Sequence, residues 1–443
     1  MKRDQWSSNF GFLMAAAGSA VGLGNLWKFP YIVGMNGGGV FLIIYLFLLI
    51  LLGTPILLTE MAIGRSSRLN AIDACKAIAP KWGFVGGMGV IGAFFILCYY
   101  SVIGGWVLKY FFKYIISPEI KEPEQYFQSF TSSTAEPIAW HVIFAAIVVF
   151  IVIRGISGGI EKVSKIFLPL LAAFIVLIAV NGMILPGSVE GVKFILKPDF
   201  SHIKSVGDFF GIVLSAMGQV FFSLSLGMGT LITYGSYLNK DSNLMTNAIY
   251  IPLFDLIIAL AACFAIMPAV YAFGLEPSTG SGLIFKTLPH VFANMKFGRI
   301  LAVIFFLLVL FAAITSAISL LEVIASYLID SMNWHRITAS IVPAAAFTAI
   351  GCLASLSFGK LSHIKIFGSS IFDFLSEFPD KILMPIGGFF LCILAGYIWG
   401  MPNFEKEVTS GGKYTFHFKR LTEFIIKIFA PLMIIIIFIA SFI

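Results

Sequence analysis

The chain has 443 residues, of which 59% are hydrophobic, 15% aromatic and only 12% charged, where soluble domains carry roughly 25% charged residues. That composition excludes a soluble globular domain, and a formal charge of +7 spread between apolar runs, with no single basic patch, excludes a nucleic-acid partner. The five cysteines (Cys75, Cys98, Cys263, Cys352 and Cys392) show no CxxC or secreted-framework spacing and the six histidines no HExxH, so neither a disulfide scaffold nor a histidine- or cysteine-held metal is expected.

A helix needs about 20 apolar residues to cross roughly 30 Å of hydrocarbon, and eleven such runs are readable: 10–34, 39–64, 84–114, 138–154, 163–184, 207–237, 242–270, 297–330, 337–358, 380–400 and 420–443. The whole chain, 1–443, therefore reads as one polytopic domain in a lipid bilayer. Lys2 and Arg3 ahead of "FGFLMAAAGSA" have the layout of a secretory leader, yet the apolar run continues past Ala20 to Pro30 and reads as a first span. Arg65, Arg68, Lys76 and Lys81 follow the second run, Arg154, Lys162 and Lys165 the fourth, and Lys406, Lys413, Lys419 and Arg420 precede the last. The positive-inside rule puts these loops and the amino terminus in the cytoplasm, and an odd number of spans then puts the carboxyl terminus outside.

The links 115–137, 185–206, 271–296 and 359–379 are expected on the extracellular side, with "PEIKEPEQ" and "EPSTGSG" as turns and short surface elements. "NAIDACKAIAP" after the second run reads as a cytoplasmic surface helix. Prolines 169, 252, 268 and 385 fall inside apolar runs, where neighbours or water re-satisfy the freed carbonyls. "GMGVIG" at 87–92 matches a dinucleotide-binding pattern, but no strand precedes it and it reads as helix packing. No nucleophile, base and orienting group fall at recognisable spacing, so no enzyme is expected.

Two runs are written to come apart. "AVGLGNLWKFP", 20–30, places Gly22, Gly24, Asn25 and Pro30 in the first span, and "GQVFFSLSLGMGTLITYGSY", 218–237, interrupts the sixth with Ser223, Ser225, Gly227 and Gly229. For Gly18, Gly22 and Gly24 alone, close helix packing of the GxxxG kind is the plain alternative. Paired interruptions at corresponding places of two five-helix halves instead mark a transporter built from inverted repeats, here 10–184 and 207–400, with 420–443 as an eleventh helix. Unwound backbone in mid-membrane costs several kcal/mol per bare group. Freed carbonyls suit a dehydrated sodium ion and the amino end of a half-helix suits a carboxylate, so a zwitterionic amino acid with sodium satisfies both.

The motifs "GSAVGLGNLWKFP", "NGGGVFLIIYLF", "GTPILLTEMAIGR", "GQVFFSLSLGMG" and "AAITSAIS", in this order over nearly the whole chain, resemble the bacterial branch of the neurotransmitter:sodium symporter family. The resemblance implies an all-α integral membrane protein of the LeuT fold, with helices 1 and 6 unwound at the midplane and transport by alternating access. It implies one sodium site on Ala20, Asn25, Ser223 and Asp255 completed by the substrate carboxylate, and a second on Gly18, Val21, Ala312, Thr315 and Ser316. The implied substrate pocket is Leu23, Gly24, Ile96, Tyr100, Phe222, Ser225, Met228, Ser316 and Leu320, with the Leu23 and Gly24 amides and the Tyr100 hydroxyl toward the carboxylate. Monoamine carriers of the family have an acidic residue where this chain has Gly24, so the substrate is expected to bring its own carboxylate.

Asp255 departs from relatives that hold a neutral amide there and a glutamate one turn later, where this chain has Ala259. Chloride-dependent relatives supply the nearby negative charge with a bound anion. Asp255 supplies it directly, and no chloride is expected; an ionisable group at this depth marks an ion path. Met228 replaces a phenylalanine and leaves an apolar, roomy pocket, which favours hydrophobic amino acids, aromatic ones included. Glu60 is expected to brace the unwound part of helix 6, and Glu322 to pair locally. Lys28 and Asp380 match the outer gate; with lysine in place of the family's arginine the pair is expected to be loose or water-bridged. Arg3 and Asp330 match the inner gate, beside Trp6 and Tyr237.

The expectation is a sodium-coupled symporter for neutral α-amino acids in a bacterial plasma membrane, as monomer or dimer. The alternatives are a proton-coupled carrier of the same fold and an amino-acid sensor or channel that moves no substrate.

Overall fold

The computed structural model describes residues 4–117, 119–274 and 282–441. Among the described residues ten helices are long and apolar enough to span a bilayer, and the bent pair Asn9–Ala20 and Gly24–Met35 makes an eleventh. In chain order after that pair, spans 2 to 5 are Gly39–Ser67, Pro80–Ile116, Ala135–Val152 and Ile156–Met183. Span 6 is Val206–Ser223, continued after a break by Thr230–Ser236. Spans 7 to 11 are Leu244–Ala272, Gly298–Met332, Arg336–Leu356, Ile371–Val408 and Lys419–Ala440. Spans 3 and 8 lie deepest, with 78% and 72% of their most apolar windows buried against 28% for span 11. Large apolar side chains such as Phe47, Phe150 and Ile257 are left on the outside, the arrangement a hydrocarbon solvent favours.

Three span boundaries differ markedly from the sequence expectation, one of them the end of span 10, at Val408 instead of 400. Span 5 starts at Ile156, not at 163, because "ISGGI" forms one wide π-helical turn that runs into the helix from Glu161. Span 10 begins at Ile371 instead of 380, since the Ser370 hydroxyl caps it by accepting the Asp373 N–H at 3.1 Å. The expected link 359–379 thus shrinks to a short hairpin, Lys365–Ile366 paired with Ser369–Ser370, and Asp380 sits within a helix. The other three links carry helices Pro123–Ser132, Ser188–Leu196 and Leu283–Ala293. The turn expected over "EPSTGSG" falls almost wholly outside the described residues. "NAIDACKAIAP" contains the helix Ala71–Ile78, whose first amides the Asn70 side chain accepts at 3.1 Å.

Candidate functional site

Spans 1 and 6 both come apart. The first half of span 1 ends where the Val21 N–H reaches Ala17 O at 2.7 Å; Val21 then leaves helical geometry with ψ 89°, and the helix resumes through a π turn at Gly24–Lys28, bent by 49°. In span 6, Leu224–Gly229 is a string of turns with positive φ at Ser225 (53°), Gly227 (75°) and Gly229 (70°). The two glycines adopt the left-handed region without penalty, whereas Ser225 stores strain of order 1 kcal/mol. One freed amide is met by protein: Gly227 N–H donates to Glu60 Oε1 at 2.7 Å, with Glu60 fully buried in span 2.

Between the breaks lies a small cavity of about 30 Å³. All nine residues of the expected substrate pocket line it: Leu23, Gly24, Ile96, Tyr100, Phe222, Ser225, Met228, Ser316 and Leu320. Ser19 and Gly22 join them. Ser19 was not expected; it is the last hydroxyl before the break, and its carbonyl accepts from Ser316 Oγ at 3.2 Å and Ser225 Oγ at 3.4 Å. Leu23 N–H donates to Tyr100 OH at 3.2 Å. A methyl added at Gly24 would fall 2.6 Å from the Phe222 ring, so no side chain fits at position 24 without moving that ring.

Next to the cavity, the buried Asp255 carboxylate gathers the expected residues. Asn25 Nδ2 donates to its Oδ1 at 2.7 Å, and Ser223 Oγ lies 2.8 and 2.9 Å from its two oxygens. Tyr45 OH, on span 2, donates to Oδ2 at 3.2 Å. The sequence reading missed Tyr45; its signal is a lone hydroxyl within "FLIIYLF", which must find a partner once buried. Ala20 stands at the end of the first half-helix and lines the cavity. On the other side of span 1, Gly18 packs against Thr315, with a methyl at 18 falling 3.3 Å from Thr315 Cβ. Thr315 Oγ1 donates to the Phe311 and Ala312 carbonyls at 2.9 and 3.1 Å. Gly18, Val21, Ala312, Thr315 and Ser316 are all buried along the facing surfaces of spans 1 and 8.

Away from the amino-terminal face, Phe222 and Tyr100 also line a wider cavity of about 600 Å³, together with Trp27, Asp373, Glu377 and Asp380. Lys28 Nζ contacts Asp380 Oδ2 directly at 3.1 Å and lies 4.4 Å from the Phe222 ring centre. The pair is in direct contact, not bridged by water, and stays partly exposed above the ring. Toward the amino-terminal face the cavity is plugged by Trp6, whose Nε1 donates to Tyr234 O at 3.0 Å and whose ring packs edge-on against Phe12, Tyr234 and Tyr237. Glu322 accepts from Tyr237 OH at 2.7 Å and pairs with Arg336 at 2.8 Å; Arg336 also reaches Asp4 at 3.3 Å. Arg3 lies outside the described residues, and Asp330 accepts the Asn70 N–H at 3.1 Å. Arg336 was not anticipated at this closure, because it comes from span 9 across the turn after span 8.

Eleven spans among the described residues, with two unwound helices around a small central cavity, define a multi-pass membrane transporter of the LeuT fold, not an enzyme. The chain matches the Sodium:neurotransmitter symporter family over residues 3–119 and 124–443, and belongs to it. An uncharacterized sodium-dependent transporter of Bacillus subtilis, YhdH, is 37% identical over 441 residues, covering 98% of this chain and 96% of its own length. Another from Methanocaldococcus jannaschii is 35% identical over 428 residues, 92% of this chain and 84% of its own. The solved structure of MhsT in complex with L-phenylalanine is 39% identical, with a TM-score of 0.91 over 99% of this chain and 100% of that one. This chain is a sodium-dependent symporter of that family.

Proposed function

We propose that the chain takes up neutral, hydrophobic α-amino acids, aromatic ones included, by sodium symport that needs no chloride. The observation that carries this reading is the buried Asp255 carboxylate, ringed by Asn25, Ser223 and Tyr45 beside both helix breaks. A carboxylate so deep is stable only when a cation or several donors meet it, and its fixed charge takes the part that a chloride ion would otherwise play. The first sodium site is then Ala20, Asn25, Ser223, Asp255 and the substrate carboxylate; the second is Gly18, Val21, Ala312, Thr315 and Ser316. Both offer hard oxygen donors, as an alkali cation requires.

The Leu23 and Gly24 amides and the Tyr100 hydroxyl receive the substrate carboxylate, which ties substrate binding to the first ion. Ile96, Phe222, Met228 and Leu320 surround the side chain, with Ser225 and Ser316 beside its polar end. A volume of about 30 Å³ has room for about two or three water molecules but not for a large amino-acid side chain, so substrate enters from the wider cavity while Phe222 swings aside and Met228 repacks. MhsT, crystallised with L-phenylalanine, supports a substrate of this class. The repeats 10–184 and 207–400 rock about the two breaks, with the amino-terminal face cytoplasmic in a bacterial plasma membrane, in keeping with the basic loops on that side.

Purified protein in liposomes tests the reading. Uptake of labelled leucine or phenylalanine should need an inward sodium gradient, ignore a proton gradient, and persist when gluconate replaces chloride. Asp255→Ala should abolish sodium-dependent binding while the protein stays folded. Binding that survives this change, or uptake that stops without chloride, overturns the assignment.

A further inference from the structure

We infer that Glu161, a residue given no part in the site above, is the positioning residue that holds the first half of span 1 against span 5. This assignment rests on the reading that the half-helix Asn9–Ala20 moves during transport. The carboxyl group is 1% exposed, and most of its partners lie in the segment that leads into and caps span 1. Ser7 N–H donates to Oε2 at 2.8 Å, while the Ser7 and Ser8 hydroxyls both donate to Oε1, the latter at 3.3 Å. Lys165, one turn further along span 5, sits 2.6 Å from Oε1 and donates to Ser7 Oγ at 3.3 Å.

The arrangement is shaped on both sides. A methyl at Gly11 would lie 1.8 Å from Glu161 Oε1, so only glycine lets the carboxylate reach the first turn of the helix. Ser8 caps that helix by accepting the Gly11 N–H at 3.0 Å, and the helix begins with no acidic residue of its own. The negative charge that favours a helix amino end is therefore supplied from another span. Asn9 and Asn247 add a reciprocal pair of hydrogen bonds at 3.1 Å.

Displacing the half-helix together with its capping segment strips Glu161 of the Ser7 and Ser8 donors and leaves Lys165 alone to balance a buried carboxylate, which is unfavourable. Glu161 therefore biases the amino-terminal face toward closure. The helix from Asn9 to Ala20 is one unbroken piece, about 17 Å long, with this latch at one end and Gly18, next to Thr315, near the other. Sodium bound beside Gly18 and the latch favour the same placement of one lever, so weakening either must weaken the other's hold.

Hydrogen–deuterium exchange of the full-length protein in lipid nanodiscs tests this with Glu161→Gln, Ser7→Ala and Gly11→Ala. Without sodium, amides of residues 4–20 should exchange about ten- to hundredfold faster in Glu161→Gln, the loss expected for charged hydrogen bonds, and less markedly in Ser7→Ala. Spans 9 and 11 should be unchanged. Added sodium should slow that exchange, with a half-maximal concentration raised relative to the unaltered protein. If Glu161→Gln fails to fold, Ser7→Ala and Gly11→Ala carry the same comparison. Unchanged exchange over residues 4–20 in every folded variant, or an equal rise across all spans, overturns the latch. Sodium without effect on the unaltered protein would instead count against the sodium sites, while the sodium-free comparison still decides the role of Glu161.

Discussion

The two ends of the central cavity are closed by different means. Away from the amino terminus there is one ion pair, Lys28 with Asp380, whose side chains are 39% and 24% exposed to a wide cavity. At the amino-terminal end the plug is a buried indole, and Glu322, 0% exposed, holds both Tyr237 and Arg336. A solvated pair is worth only about 0–1 kcal/mol, whereas breaking a buried one by removing a partner costs about 3–5 kcal/mol. The Lys28–Asp380 contact is thus weak enough for thermal motion to open, whereas the buried contacts of Glu322 must be traded for other interactions. On the orientation proposed above, that inequality favours an empty protein open to the side opposite the amino terminus.

Substitutions can sharpen or break this contrast. Glu322→Ala leaves Arg336 only Asp4 and the Val152 carbonyl and should have the largest effect, on the order of 4 kcal/mol; the apparent sodium affinity should fall by far more than tenfold, as read by sodium-dependent substrate binding. Trp6→Ala empties the plug and should shift the same equilibrium by about 3 kcal/mol, with a cysteine placed at Thr233 becoming reactive from the amino-terminal side. Phe222→Ala removes the lid between the two cavities, and bound amino acid should escape roughly tenfold faster in a chase with unlabelled substrate. Lys28→Ala should matter least, changing apparent affinity by less than about fivefold and flattening its dependence on ionic strength. Should Lys28→Ala prove more damaging than Glu322→Ala, the ranking of the two closures is reversed.

The candidate pocket was legible because its parts are sequence-local: glycines and serines that break a helix, and side chains at helical spacing around them. Resemblance then supplied the partners from spans 3 and 8. What the sequence hid are single residues whose meaning is a distant neighbour. Tyr45 looks like core until Asp255 faces it, Glu161 like an ordinary interfacial charge until Ser7 and Ser8 reach it, and Arg336 like a topology signal until Glu322 lies below it. The early start of span 10 escaped because "IFDFLSEF" is amphipathic, with Asp373 and Glu377 turned to the outer cavity, and so falls short of an apolar threshold.

The chain by itself determined that it crosses a membrane many times and roughly where, since hydrocarbon thickness and backbone hydrogen bonding demand long apolar helices, and its paired glycine and serine interruptions pointed to two crossings that break. Only the tertiary structure decided which buried charges meet, how tightly each end of the cavity is shut, and which carboxylate grips the movable half-helix. Those outcomes depend on distances between residues hundreds of positions apart, and packing sets them, not local pattern.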